Sequence, residues 1–413
     1  MWYNSTMTLE FFGETLAQII VDALNIQRGQ NLAIRCEPAL ASIVPVIAKY
    51  AYRKGARYVD YLPAFEALKR SRIDNSPHEY LGYFPGYVSR IDEDLVSGEW
   101  VYLAIKSPDD PAIMNGAAAD RLAVVEKAHS EARHLFRTAF SENRSQWLVV
   151  AVPSLPWARH VLGNIPDVEE RFTEVLGKLY RLNEDNPSLF WTNYARELSD
   201  RAHRLTKSRI TKLRFVADGT DLAIKLPRHA IWRGGLAHSA DGMEFLPNIP
   251  TEEVFTAPHA DGTDGTVRIT RPVMVYGGTV SEATLTFADG EVVQSSARKG
   301  ADLLSAYLNV EEGNRRLGEV ALVDSGSPIF QSGLMFSNTL LDENAACHIA
   351  LGFAYPDCVE GGIDMSMEER REKGLNTGRD HLDVMIGDES LTVTAELENG
   401  ETMELMRSGR FSE

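Results

Sequence analysis

Cysteine is scarce: Cys36, Cys347 and Cys358 are the only three in 413 residues. No two stand in a CxxC pair, which excludes a thiolate zinc site, a redox dithiol and a disulfide framework. Three unpaired thiols fit a reduced, cytoplasmic setting. Long apolar runs are missing as well. The best one, residues 147–152, stops at Pro153, far below the ~18 residues that span a membrane. The first residues, Met1 to Thr6, carry no basic lead, and Glu10 and Glu14 interrupt the apolar residues after them, so no signal peptide is expected and the protein reads as soluble. Positive charge is the minority sign, with 42 Lys+Arg against 59 Asp+Glu and a net −17. Such a surface repels polyphosphate, which excludes nucleic acid and anionic membranes as main partners. Several catalytic motifs are absent too: no GxGxxG follows a strand, and there is no HExxH, GxSxG or GxxxxGK[ST]. The stretch from Gly313 to Gly318 has the glycine spacing of a phosphate loop, but Glu319 occupies the place of the lysine and would repel phosphate.

What remains is an ordinary globular composition, 44% hydrophobic and 24% charged, in a chain long enough for two or three domains. Phe12, Leu16, Ile19, Ile20 and Leu24 recur at helical spacing, and Gly29 stops that run before an apolar strand at 31–36. A helix at 43–52, strands at 58–62, 101–105 and 147–152, and one long amphipathic helix over 118–140 complete an alternation of β and α. That alternation predicts a mostly parallel sheet with helices on its faces. Beyond residue 205 the pattern changes to short strands and glycine-rich turns. Asp218-Gly219 and Asn399-Gly400 mark hairpins between 214–217 and 220–225, and between 391–396 and 401–405. Further strands are predicted at 267–270, 273–276, 283–287 and 292–295, with helices near 301–308 and 341–350. The expected architecture is therefore an α/β N-terminal domain, 1–205, followed by a β-rich (α+β) metal-binding domain, 206–413.

The metal-competent residues all fall in the second half. In an extended strand His381 and Asp383 share a face while Leu382 and Val384 take the other, so an imidazole and a carboxylate converge inside an apolar segment. A hydrogen-bonded pair at a strand end is the plainer alternative. Glu319 follows Gly318 at the head of an apolar run, where burial would demand a cation or strong donors; a surface acid is the alternative. His348 sits among small and apolar residues of the predicted 341–350 helix, either as ligand or as core histidine. Glu252 and Glu253 are adjacent acids before a short apolar run, and a solvated loop would explain them equally. Asp342-Glu343-Asn344 reads as a helix-start acid cluster favoured by the macrodipole. His238, His259 and the Trp232-Arg233-Gly234-Gly235 turn are weaker site candidates.

Taken together, these blocks resemble a known family. The run from Asn248 through Thr251-Glu252-Glu253 to His259, the segment 317–324, the stretch 333–355 and the segment 381–387 are similar, in order and spacing, to the thermophilic metalloaminopeptidases of the aminopeptidase T and aminopeptidase S type, and the likeness covers essentially the whole chain. One departure is Val384, where an aromatic is expected in many relatives; it touches pocket shape. The resemblance implies a cytoplasmic two-metal exopeptidase acting on peptides with a free N-terminus, activated by zinc, cobalt, magnesium or manganese, and assembled as a homodimer. It implies Glu253, Glu319, His348, His381 and Asp383 as metal ligands, with Glu319 bridging. Tyr355 would assist the reacting carbonyl, and Glu252 is left as an acid–base candidate. Two ions sharing a carboxylate and a water can generate hydroxide at neutral pH and polarise the scissile carbonyl. The rival reading is a mononuclear iron(II) ring-cleaving dioxygenase of the same fold, for which His348, His381 and Asp383 would suffice. Both Glu253 and Glu319 are retained, which favours two metals.

Overall fold

The computed structural model describes residues 8–412, apart from 108–109, 111–112 and 277. The amino-terminal residues read above as no signal peptide thus lie outside the described residues. The chain divides into two compact units: the chain through Tyr194 with Leu236–Pro250, and Ala195–Gly235 with Thr251 onward.

The first unit opens with α1 (Leu9–Ala23), capped by Thr8, whose hydroxyl accepts from the Phe11 amide at 3.2 Å. Phe12, Leu16, Ile19 and Ile20 turn inward, as their spacing requires. Then come β1 (Asn31–Cys36), α2 (Val44–Lys54), β2 (Tyr58–Pro63), α3 (Glu66–Asn75), α4 (Gly86–Leu95) and β3 (Trp100–Ile105). The helix expected over 118–140 is two helices, α5 (Ala119–Ala132) and α6 (His134–Ser141), broken at Arg133. The cause is electrostatic and steric together. The Arg133 guanidinium is held by the buried Asp92 carboxylate at 2.6 and 2.8 Å, and the turn there brings Phe136 and Phe140 each within 5.0 Å of the Tyr102 ring. After β4 (Trp147–Val150) come α7 (Leu155–Leu162), α8 (Val168–Leu179) and α9 (Pro187–Lys207), within which the division between the units falls. The sheet order is β2-β1-β3-β4, parallel throughout, and β1 and β3 are almost wholly buried, as a sheet covered on both faces demands.

The second unit begins with the hairpin β5 (Ile210–Ala217) and β6 (Thr220–Lys225), closed by Asp218-Gly219 with Gly219 at φ +73°. The excursion assigned to the first unit carries only a short ribbon, β7 (Ala237–His238) with β8 (Glu244–Phe245). Next are β9 (Glu253–Thr256), β10 (Thr263–Arg268), β11 (Val273–Val275), β12 (Gly278–Ala288), β13 (Glu291–Lys299), α10 (Ala301–Leu308), β14 (Leu317–Val323), α11 (Pro328–Gln331), α12 (Thr339–Glu343), β15 (His348–Gly352), α13 (Met367–Glu372), β16 (His381–Met385), β17 (Thr392–Leu397), β18 (Thr402–Arg407) and β19 (Arg410–Phe411). An antiparallel sheet runs β11-β12-β10-β6-β5-β17-β18-β19, with β13 on β12; a second, four-stranded antiparallel sheet runs β16-β15-β14-β9. The strand expected at 267–270 lies earlier, as β10.

The larger correction concerns 341–350. The helix stops at Glu343, and His348–Gly352 is a strand paired on both sides, with β14 and β16. Ala345 and Ala346 favour a helix locally, but the segment that follows lies between β14 and β16 and pairs its backbone with both, so tertiary pairing overrides propensity.

Candidate metal centre

The four-stranded sheet sets the site by parity. Register pairs Glu253 with Val323, Phe255 and His348 with Ala321, Glu319 with Ala350, and Asp383 with Ala350. Side chains alternate along a strand, so Glu253, Glu319, His348, His381 and Asp383 all rise from one face, although they come from four strands. Between them on that face lie Ala321, Ala350 and Gly352. These small residues leave the space that the five long side chains enter. Two glycines are required by close approach. Gly318 sits in a bulge beside Glu319, where a Cβ would come 2.2 Å from the Phe353 carbonyl. Gly352, at φ +109°, faces the Asp380 carbonyl, which a Cβ would meet at 2.0 Å.

The five donors form two groups that share one member: Glu253, Glu319 and His348 on one side, Glu319, His381 and Asp383 on the other. His348 Nε2 lies 3.2 Å from Glu253 Oε2 and 3.6 Å from Glu319 Oε1; His381 Nε2 lies 3.3 Å from Glu319 Oε2 and 3.2 Å from Asp383 Oδ1. Glu319 thus turns one oxygen to each imidazole. Each ring is also aimed from behind. His381 Nδ1 is 2.8 Å from the Phe353 carbonyl and His348 Nδ1 is 3.2 Å from the Ala346 carbonyl, which places a proton on Nδ1 and leaves Nε2 for a cation. Side-chain exposure rises from 1% at His348 to 21% at His381, so the centre opens on the His381 side.

The electrostatics are those of a cation site. Burial lifts the Glu253 carboxyl above its usual range, with Glu319 and Asp383 adding to the effect. Burial acts upward on Glu319 and Asp383 too, but the two histidines outweigh it and hold both below their usual range. Burial opposes charging of His348 and His381, yet the facing carboxylates raise both well above an ordinary histidine. Glu253 Oε2 is buried and, despite its closeness to His348, no well-aligned hydrogen bond satisfies it. Three carboxylates and two imidazoles of this kind are the N/O donor set of a hard-to-borderline divalent ion. The residues present fit such a group.

Tyr355 stands at the edge of this cluster, its ring 5.3 Å from that of His381 and packed against Phe255 and Phe353. Burial and the neighbouring carboxylates raise its hydroxyl well above the usual value, so it remains a proton donor at neutral pH. Glu252 precedes β9, is buried, and belongs to neither donor group; its amide donates to Asn344 Oδ1 at 2.7 Å. The sequence reading missed Glu343. It ends α12, half-buried, and burial together with Asp383 and Glu253 raises its carboxyl well above the usual range. Asp342, beside it, holds the Phe336 and Asn338 amides at 2.9 and 3.0 Å. Asp342 is thus the first-turn acid of α12 that the sequence leads one to expect, while Glu343 faces the carboxylates of the donor groups. The signal for Glu343 was three polar residues inside an otherwise apolar run. His238 is exposed beside Glu244, and His259 packs against Gly374; neither belongs to the donor groups. Arg233 bridges to β9, exchanging backbone bonds of 2.8 Å with Phe255, while its guanidinium holds the Asp357 carbonyl.

Residues 13–411 match the thermophilic metalloprotease (M29) family. The chain belongs to that family. It is 37% identical to aminopeptidase 2 of Geobacillus stearothermophilus over 94% of each chain, and 35% identical to aminopeptidase AmpS of Bacillus subtilis over 96% of this chain and 98% of that one. The solved structure of wild-type AmpT from Thermus thermophilus superposes with a TM-score of 0.91 at 33% identity, covering 98% of this chain and all of that one. The family fold is thus the α/β unit and the β-rich unit described above. As a metalloprotease the chain is a hydrolase of peptide bonds that uses metal, and the candidate donor groups lie on the antiparallel four-stranded sheet.

Proposed function

We propose that the chain is an aminopeptidase whose centre holds two divalent cations, one among Glu253, Glu319 and His348 and the other among Glu319, His381 and Asp383. The observation that carries this reading is the sharing of Glu319, with one carboxylate oxygen facing each group. The relatives named above are aminopeptidases, which leaves the dioxygenase alternative without support. Zinc, cobalt, magnesium and manganese all suit the donor set. When bound, such ions supply Lewis acidity for the scissile carbonyl and lower the pKa of water.

The protein's own groups do the rest. An unblocked peptide amine, in its neutral form, offers a lone pair that an acetylated one lacks, which selects substrates with a free N-terminus. Tyr355, kept protonated, donates to the oxygen that gains charge as the carbonyl becomes tetrahedral. Glu252 is the candidate for proton transfer toward the leaving amine. Three buried free thiols agree with a reducing, cytoplasmic location. A homodimer is part of the proposal, tested by light scattering at micromolar concentration.

The decisive experiment compares Glu253→Gln with Glu252→Gln by metal analysis and by hydrolysis of leucinamide. Glu253→Gln is expected to lower both occupancy and turnover, because an amide is a poor ligand for a hard cation. Glu252→Gln is expected to keep the metal and to lose ~10²–10⁴-fold in rate. Reversed occupancy losses, one ion per chain in metal-replete wild type, or equal turnover of acetylated and free-amine substrates would each overturn the reading.

A further inference from the structure

A cavity of ≈ 350 Å³ opens on the parallel sheet of the first unit, far along the sequence from the metal ligands. Edge strand β2 alternates Asp60 and Leu62 onto it, α4 adds Tyr87, Arg90, Ile91, Asp94 and Leu95 at three- and four-residue spacing, and Trp100 enters from the start of β3. The aromatic wall is fixed: the Trp100 indole donates to Asp94 Oδ2 at 3.1 Å, and the Tyr58 ring meets it edge-on at 6.3 Å. Asp60 and Arg90 face the same cavity, yet neither side chain forms an ion pair among the described residues. Tyr87 and Ile91 are 58% and 38% exposed and form the solvent-facing lip of the cavity.

We propose that this cavity is a second binding site, which takes a free α-amino acid with an apolar side chain in its zwitterionic form. The lining dictates that chemistry. Arg90 repels a simple cation, and the two aspartates repel a simple anion. A wholly apolar molecule meets none of the three charges, two of which, Arg90 and Asp94, are exposed to solvent. An α-amino acid answers each: its ammonium meets Asp60 and Asp94, its carboxylate meets Arg90, and its side chain covers Leu62, Leu95 and the Trp100 face. The volume stands at the small end of the ~300–1,000 Å³ range of ligand pockets, which suits one amino acid better than a long peptide. The choice of this occupant rests on the aminopeptidase reading, since such amino acids are what that reaction releases. The cavity would then sense product at a place separate from the chemistry.

Calorimetric titration of the full-length, metal-loaded protein with leucine tests this, with Glu253→Gln as the background that disables the metal centre. Leucine is expected to bind the Glu253→Gln protein as it binds a site of the wild type. Asp60→Asn and Arg90→Gln are each expected to weaken that binding about tenfold or more, the scale of a lost charged hydrogen bond. Both variants should hydrolyse leucinamide at the wild-type rate when no leucine is added. N-acetyl-leucine and leucinamide, each lacking one charge, are expected to bind at least about tenfold more weakly. Leucine binding that vanishes with Glu253→Gln, that ignores both cavity variants, or that N-acetyl-leucine equals would overturn the proposal. Absence of hydrolysis in the wild type would sink the aminopeptidase reading while leaving the leucine titration to decide the cavity on its own.

Discussion

Two four-stranded sheets in this chain solve opposite problems. The parallel sheet β2-β1-β3-β4 keeps its interior apolar: Leu32, Ile34, Val101, Leu103 and Leu148 are fully buried, and the nearby buried charges, Arg133 and Asp92, neutralise each other in a bidentate pair. The antiparallel sheet β16-β15-β14-β9 does the reverse. Its one face gathers three carboxylates and two histidines around Ala321, Ala350 and Gly352, and the charges are balanced only in part. The comparison teaches that burial of charge is decided by completeness. A pair that closes on itself serves structure, whereas a set whose charges are not closed among its own members is suited to binding.

The sharpest way to break this contrast is Glu319→Gln. It removes the member common to both donor groups, so bound metal should fall and kcat/KM should drop about 10³-fold or more, with little change in Tm for the metal-free protein. Metal retained at the wild-type level would show that the two groups do not depend on this residue. Asp92→Asn should give the opposite profile. It strands a buried guanidinium and is expected to cost about 3–5 kcal/mol of stability in urea titration, while metal per folded chain stays unchanged. Ala350→Leu tests the floor between Glu319 and Asp383. Overpacking should cost about 1–3 kcal/mol, and bound metal should fall because the added carbons occupy the ligands' space. A fully loaded, active Ala350→Leu protein would show that the small residues are incidental.

The smallest effect concerns His129 in the first unit. Burial, followed by the positive charges of Arg133, Arg35, Lys69 and Arg137, lowers its pKa to about 4. The unfolded chain takes up this proton near pH 6.5 while the folded one does not, so stability is full above ~6.5 and declines as pH falls toward 4. His129→Gln should remove that part of the decline, about 1 kcal/mol once screening at this half-exposed ring is counted. Urea titrations of both proteins at pH 7.5 and 4.5 measure it; an identical pH dependence would refute the assignment.

Much of this organisation is legible in the sequence, for physical reasons that also mark the limit. Phe12, Leu16, Ile19 and Ile20 reveal α1 because a half-buried helix must repeat its apolar residues every three or four positions. His381 and Asp383 reveal their shared face because a strand alternates. His348 does not, since a strand buried on both faces has no alternation, and Ala345-Ala346 ahead of it imitates a helix. The break at Arg133 was hidden because Asp92, its cause, is 41 residues away. Glu343 was hidden because its neighbours in space, Asp383 and Glu253, come from other strands. Periodicity reports the environment along one element; it is silent about what another element brings.

The shared face of the antiparallel sheet β16-β15-β14-β9 has a consequence for how this gene can change. The five proposed ligands on four strands agree only while every strand keeps its phase, much as codons agree only within a reading frame. Losing or gaining one residue inside 348–352 or 381–385 would rotate the remaining side chains to the opposite face and scatter the ligands, with no substitution at any of them. The segments between the strands are free of that constraint. Length variation in this unit should therefore collect in the connections, leaving the four short strands to vary by replacement alone.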